Sequence, residues 1–169
     1  GKTPLHIVQS DILRLRIDET IEVDTNFVIV GNFPYNISSQ IVFLGLQHRH
    51  KMPFMAGMFQ REMAERIISP PGSKSFGIIS VLVQAYFEPN HLFHVKPGSF
   101  SPPPKVNSSV ISLKRFRTEI EGVSYQTLRQ VVKIAFSQRR KKLRNTLKAI
   151  IPEDYLREEQ VVDLRPEQL

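Results

Sequence analysis

Apolar residues along the chain fall into short runs separated by polar and turn residues, and the texture of these runs changes once, late in the sequence. Residues 5–8 and 27–31 (FVIVG) are β-branched or aromatic stretches with polar or turn residues on either side. That is the pattern of buried strands rather than half-buried alternating ones. Asp11 comes shortly after the first run and Asn32 directly after the second. Ser38 and Ser39 precede Ile41, Leu44 and Leu46, a periodic set that predicts a helix to about residue 50. Residues 53–60 predict a further apolar strand, 62–68 a short helix with a Glu62–Arg66 pair, 70–74 a loop and 76–83 a helix. Residues 86–95 and 106–115 predict strands on either side of a Pro-rich stretch at 96–105. Beyond Gly122 no strand pattern remains, and helical spacing returns in 128–136 and 143–150. Alternating strands and helices up to a boundary near residue 118 predict an α/β layer closed by an antiparallel pair and followed by a small all-helical unit. The expected division is 1–117 and 118–169.

Composition narrows the class. The 169 residues are 41% apolar and 23% charged, which suits one or two small domains and argues against disorder. No run approaches the roughly 18 uninterrupted apolar residues of a membrane span. The absence of cysteine removes disulfides, thiolate zinc sites and cysteine nucleophiles together; it suits a reducing compartment, with the cytoplasm as the expected location. His48 and His50 flank Arg49, and His91 and His94 are three apart in a strand-like stretch, so neither pair has the helical i, i+4 spacing of a metal site. Surface or packing histidines are expected, and no metal.

The net charge of +7 is unevenly placed. Residues 1–60 are balanced, whereas 123–152 carry eight basic side chains and no carboxylate: Arg129, Lys133, Arg139, Arg140, Lys141, Lys142, Arg144 and Lys148. The last seventeen residues are acidic. Solvated helix faces usually mix signs through i, i+4 pairs. An unneutralised basic block instead points to a phosphate-backbone partner, because each cation near a phosphate releases condensed counterions.

Asn32-Phe33-Pro34-Tyr35 lies at the carboxyl end of a predicted strand, where open α/β sheets bind ligands. The Asn32 carboxamide oxygen and the carbonyl before Pro34 are two acceptors for the hydrogens of a planar amino group, and the Tyr35 ring is a stacking face. An exocyclic amine on a flat base fits this set. Adenine N6 is a poor nucleophile because its lone pair is delocalised into the ring; acceptors that draw its hydrogens out of plane restore that lone pair without a strong base. The plain alternative is a proline turn after a strand.

The blocks GNFPYNISSQIVF, MFQREMAERI with PGSKSFGIISVLVQ, PGSFSPPPKVNSSVISL and AFSQRRKKLRNTLK, in that order, closely resemble ribosomal RNA adenine N6,N6-dimethyltransferases of the KsgA type, from about Leu5 to the C-terminus. The resemblance implies a Rossmann-like class I methyltransferase sheet and S-adenosylmethionine as methyl donor. It also implies dimethylation of N6 on two adjacent adenosines in a hairpin loop of small-subunit (16S) ribosomal RNA, with a part in ribosome biogenesis. In this sequence Asn32, Pro34 and Tyr35 match the catalytic block, with Phe33 where leucine is more usual. Asp11 and Asn32 match cofactor-binding positions, Asp11 being the acidic residue that holds the adenine amino group of the cofactor. Phe100 matches the aromatic that helps hold the flipped target base, although from composition alone it is equally a loop aromatic covering the core. Arg139, Arg140, Lys141, Lys142 and Arg144, with Lys105 and Arg61, are the expected grips on RNA phosphates. Neither a metal nor a covalent intermediate is implied.

Two departures shape the remaining expectations. The family pattern begins with a strand and a glycine-rich loop, and this chain has no G-x-G-x-G. Roughly 100 residues would precede it by analogy with such two-halved sheets, so the sequence reads as a piece of a longer protein, with RPEQL resembling an internal family segment and Gly1 in place of a methionine. FVIVG would then lack the first strand beside it. An open apolar edge is expected to give a dimer, a swapped assembly or poor solubility unless residues 1–25 cover it. The rival readings are an Erm-type large-subunit RNA methyltransferase, an N6-adenine DNA or glutamine-amide methyltransferase, and a non-catalytic RNA-binding assembly factor. Phe33 speaks against the second, whose motif usually has proline there.

Overall fold

A computed structural model describes residues 5–20 and 25–168. Among them four strands form one mixed sheet in the order β1-β2-β4-β3: β1 (Val28–Asn32), β2 (Phe54–Gln60), β3 (Phe87–Val95) and β4 (Ser108–Arg115). A short helix α1 (Ile17–Thr20) precedes the sheet, and α2 (Ser38–Gln47) is the crossover that lets β1 and β2 run parallel. Helices α3 (Arg61–Ile68) and α4 (Ile78–Gln84) follow β2. The antiparallel pair β3–β4 then returns the chain so that β4 lies against β2. The expected α/β layer, its antiparallel closure and the Glu62–Arg66 pair at 2.6 Å are all present.

The two faces of the sheet differ. Met55, Gly57 and Phe59 of β2 alternate with less buried neighbours and, with Ile111 and Leu113 of β4, sit against the helices. The registers place Val28, Val30, Met58, Val110 and Phe93 on the opposite face, and there Val30 is 69% exposed. So β1 alternates, contrary to its reading as a strand buried on both sides. Residues 5–8 form no strand either: Leu5 and Ile7 are 86% and 87% exposed. A strand needs a neighbour for its amides, and none of the described residues supplies one. Ile12 and Leu13 pack against the core and Ile17 is buried, so this segment is tied down by its later residues. Residues 1–4 and 21–24, part of the stretch expected to cover the edge, lie outside the described residues.

Past residue 118 the texture changes as expected, but the core does not stop. Gly122, with φ +71°, makes the tight turn that an L side chain would resist, and Ser124 Oγ accepts the Thr127 amide at 3.0 Å to start α5 (Tyr125–Ala135). α6 (Leu143–Leu147) and α7 (Glu153–Glu158) follow, with short 3-10 turns between and after. Tyr125, Val132, Ala135, Phe136, Leu143, Leu147, Leu156 and Val162 belong to one hydrophobic cluster with Ile41, Phe59, Leu82 and Ile111. Arg49, just past α2 and only 8% exposed, crosses the boundary. Its Nε donates to the Thr118 carbonyl at 2.7 Å, and its guanidinium lies 4.7 Å from the Tyr86 ring centre and 5.1 Å from that of Tyr125.

Candidate active site and nucleic-acid interface

The Asn32–Tyr35 segment leaves the carboxyl end of β1 and turns into α2. Phe33 is buried at 7% exposure, its ring 5.2 Å from that of Phe59. Two glycines make room for it. Gly31 and Gly57 are register partners on adjacent strands; a Cβ on Gly31 would stand 2.9 Å from the Phe33 ring, and one on Gly57 would overlap it. The Phe33 side chain is thus an anchor held by Phe59 and the two glycines. With the ring pinned, Asn32 and Pro34 are held exposed on either side of it.

Tyr35 is fixed at both ends. Its hydroxyl lies 2.6 Å from Oγ of Ser108, a fully buried residue at the start of β4, and its carbonyl accepts Ser38 Oγ at 3.1 Å. Asn32, Phe33, Pro34, Tyr35 and Met58 share a hollow of about 320 Å3 with Phe100, Pro102 and Pro104 of the Pro-rich loop. Four residues expected from the motif and the separate aromatic at 100 therefore converge, some 65 positions apart in the chain. Ser108, Gly57 and Met58 were not anticipated. The glycine inside an apolar strand was the one visible signal, since such a glycine often marks a close approach. Nothing in the local pattern of 106–115 singles out Ser108.

Asp11 stands apart from this hollow. It organises its own turn, with Oδ1 accepting the Leu13 amide at 3.0 Å, its carbonyl accepting the amides of Arg14 and Leu15, and Oδ2 facing Arg14 at 3.7 Å. Arg61 and Lys105 meet on one hollow of about 340 Å3 beside the start of α3, where Arg61 is already bonded to Glu65 at 2.7 Å.

The basic block is not unneutralised. Arg139 donates to the Lys74 and Phe76 carbonyls at 3.0 and 2.8 Å and faces Glu167 at 3.5 Å. Lys142 and Arg144 converge on Asp163 at 3.2 and 2.8 Å, and the bond from Lys142, with that from Arg144 next, holds the Asp163 carboxyl below its ordinary value. The acidic C-terminal stretch folds back onto the block, which local sequence spacing could not show. Arg140, Lys141 and Lys148 are exposed and have no carboxylate partner among the described residues. His91 Nε2 and His94 Nδ1 are 3.2 Å apart, with Ser109 Oγ 2.8 Å from the latter, and no cluster of three or more metal-binding side chains occurs among the described residues. No described helix is long and apolar enough to cross a membrane.

Comparison with known proteins covers almost the whole chain. The family described as ribosomal RNA adenine dimethylase matches residues 1–164. The ribosomal RNA small subunit methyltransferase A of Flavobacterium johnsoniae is 48% identical over 163 residues, spanning 96% of this chain and 62% of that protein. Its namesake in Bacteroides thetaiotaomicron is 46% identical over 165 residues, spanning 97% and 61%. The chain thus spans about three fifths of the length of these curated relatives. Among solved structures, a dimethyladenosine transferase from Plasmodium falciparum superposes with a TM-score of 0.75 at 23% identity, over 88% of this chain and 65% of the other. The 23S rRNA methyltransferase ErmE superposes at 0.66 with 24% identity, over 95% and 67%. At those identities the likeness is one of fold.

Proposed function

Because the chain belongs to the ribosomal RNA adenine dimethylase family, we propose that it carries the target-base half of an S-adenosylmethionine-dependent enzyme that dimethylates N6 of two adjacent adenosines in a small-subunit ribosomal RNA loop. The observation that carries this reading is the convergence of Asn32, Phe33, Tyr35 and Phe100 on one hollow at the carboxyl end of β1. The Rossmann-like arrangement of the relatives supports the same placement. A cytoplasmic location goes with such a substrate.

In this mechanism the Asn32 Oδ1 and the Phe33 carbonyl accept the two hydrogens of the adenine amine, and the lone pair of N6 is freed from the ring. Tyr35, its hydroxyl tied to Ser108, presents its ring as a fixed face for the flipped base, and Phe100 is a second aromatic lining the same hollow. A loop adenine costs less to extrude than a paired one. Asp11 and Asn32 would hold the cofactor at separate points: the exposed carboxylate of Asp11 keeps acceptor capacity beyond its own turn for an adenine amine, and the Asn32 carboxamide offers both a donor and an acceptor. S-adenosylmethionine held by these residues would supply an electrophilic methyl on sulfonium. Residues 1–117 form the catalytic part of this reading. Arg140 and Lys141, within 118–169, and Lys105, ahead of it, are the freest grips for RNA phosphate; Arg61, Arg139, Lys142 and Arg144 are shared with partners inside the chain.

The test is transfer of labelled methyl from S-adenosylmethionine into unmethylated small ribosomal subunits, with Asn32→Ala beside the unaltered chain. Labelled N6-dimethyladenosine that vanishes with Asn32→Ala is the expected result. Binding to the subunit with no label would leave an RNA-binding assembly factor, and absence of both would remove the reading.

A further inference from the structure

Beside the target hollow lies a larger groove of about 790 Å3, between α2, α3, α4 and the turn after α5. Phe43, Met63 and Ile79 give it an apolar floor, and Arg66, Lys74 and Arg139 stand on its rim. The one carboxylate along it, Glu62, is held by Arg66 at 2.6 Å. Arg129 adds a further cation 5.9 Å from the Phe43 ring centre. Glu167 faces Arg139 at 3.5 Å, so Lys74 is the rim cation with no carboxylate partner among the described residues, and the groove is aromatic and apolar at its base with a cationic lip.

We propose that this groove seats unpaired RNA nucleotides adjacent to the target adenosines, with a base stacked on Phe43 and its phosphates met by Lys74 and Arg66. The inference rests on the RNA reading above and extends it to a second subsite. Three observations carry it. First, the chemistry matches sequence-tolerant single-strand binding, in which aromatic faces take bases and cations track the backbone. Secondly, the first turn of α2 links the two: Ser39 lines the groove, and the preceding Ser38 bonds the carbonyl of Tyr35, which lines the target hollow. A strand whose flipped base enters the hollow would cross the start of α2 to reach this apolar, cation-rimmed groove. Thirdly, the wall is pre-set. The Arg139 guanidinium pins the carbonyls of Lys74 and Phe76, so Lys74 is presented at the rim by a loop already tied to the C-terminal segment. An acidic peptide would satisfy the rim, but it would not use the flat face of Phe43.

The chain contains no tryptophan, so Phe43→Trp introduces a single indole reporter at the floor. A fluorescein-labelled hairpin with two adjacent adenosines in its loop is titrated into this variant, following RNA anisotropy and indole emission together. Quenching of the indole in step with binding is expected. Lys74→Gln with Arg66→Gln, both exposed and away from the core, should weaken binding about ten-fold and lower the salt slope by about 1.4 if each meets one phosphate of a single strand. Phe43→Ala should weaken it about five-fold or more. Thermal melts of the exposed double variant matching the unaltered chain keep a folding defect from explaining the loss. RNA binding with unchanged indole emission and an unchanged salt slope would overturn the groove while leaving the target hollow standing. Equal quenching by polyglutamate would overturn it in favour of an acidic protein partner, and no RNA binding by the unaltered chain would remove the parent reading as well.

Discussion

Phe33 acts through its position rather than its chemistry. Its ring fills the space that Gly31 and Gly57 leave open, and this fixes the direction of the carbonyl that precedes Pro34. Gly57→Ala should therefore expel the ring, destabilise the chain by about 1–3 kcal/mol as overpacking does, and reduce methyl transfer beyond what the lost stability explains; urea melts and the methyl assay measured together check this. Tyr35 separates two functions. Tyr35→Phe keeps the stacking face but strands the buried Ser108 hydroxyl, so stability should fall by about 1–3 kcal/mol with transfer partly retained. Tyr35→Ala should lose transfer at least ten-fold more than RNA affinity, because base stacking positions while phosphates supply most of the binding. Comparable losses of transfer in the two variants would mean that the ring is only structural. At this scale the Asn-Phe-Pro-Tyr segment was legible because its spacing is local. Its supports, Gly57 and Ser108, were not, because each meets the segment from another strand.

Among the elements, the acidic stretch after α7 behaves as a clamp on the basic one before it. Asp163 draws in Lys142 and Arg144, the Leu143 amide donates to the Leu164 carbonyl at 2.9 Å, and Val162 is buried behind them. The native Asp163 carboxyl titrates below its ordinary value, chiefly through the bond from Lys142. Its support for the fold is thus complete above roughly pH 4 and lost as the pH falls through the lower native value. Asp163→Asn should remove that acid-limb dependence, releasing two cations. RNA should then bind more tightly, with the salt slope steeper by about 0.7 for each cation that finds a phosphate; anisotropy at several salt concentrations checks it, and an unchanged slope would mean that neither cation reaches RNA. The charge asymmetry was readable in the sequence, but which carboxylate meets which cation depends on how the chain returns after α6.

At the scale of the molecule, the sheet is covered by helices on one face and presents Val28, Val30 and Phe93 on the other. An apolar face of that kind drives association. Light scattering after size-exclusion should show mass rising with concentration, and Val30→Lys should restore a monomer; a clean monomer of the unaltered chain at high concentration would count against it. The order of strands and helices and the antiparallel closure were legible, since each has its own period and punctuation. Residues 5–8 misled because β-branched composition signals a strand only where a partner exists.

The Arg49 guanidinium, packed against the rings of both Tyr86 and Tyr125 and bonded to the Thr118 carbonyl, has a practical corollary. A cut near residue 118 should yield no pair of usable halves: the first would bare Tyr86 and a charged group stripped of its cover, and the second would lose the surface on which Tyr125 and Phe136 lie. Limited proteolysis should accordingly pass from intact chain to small peptides without a persistent intermediate, and calorimetry should record one heat-absorption peak rather than two.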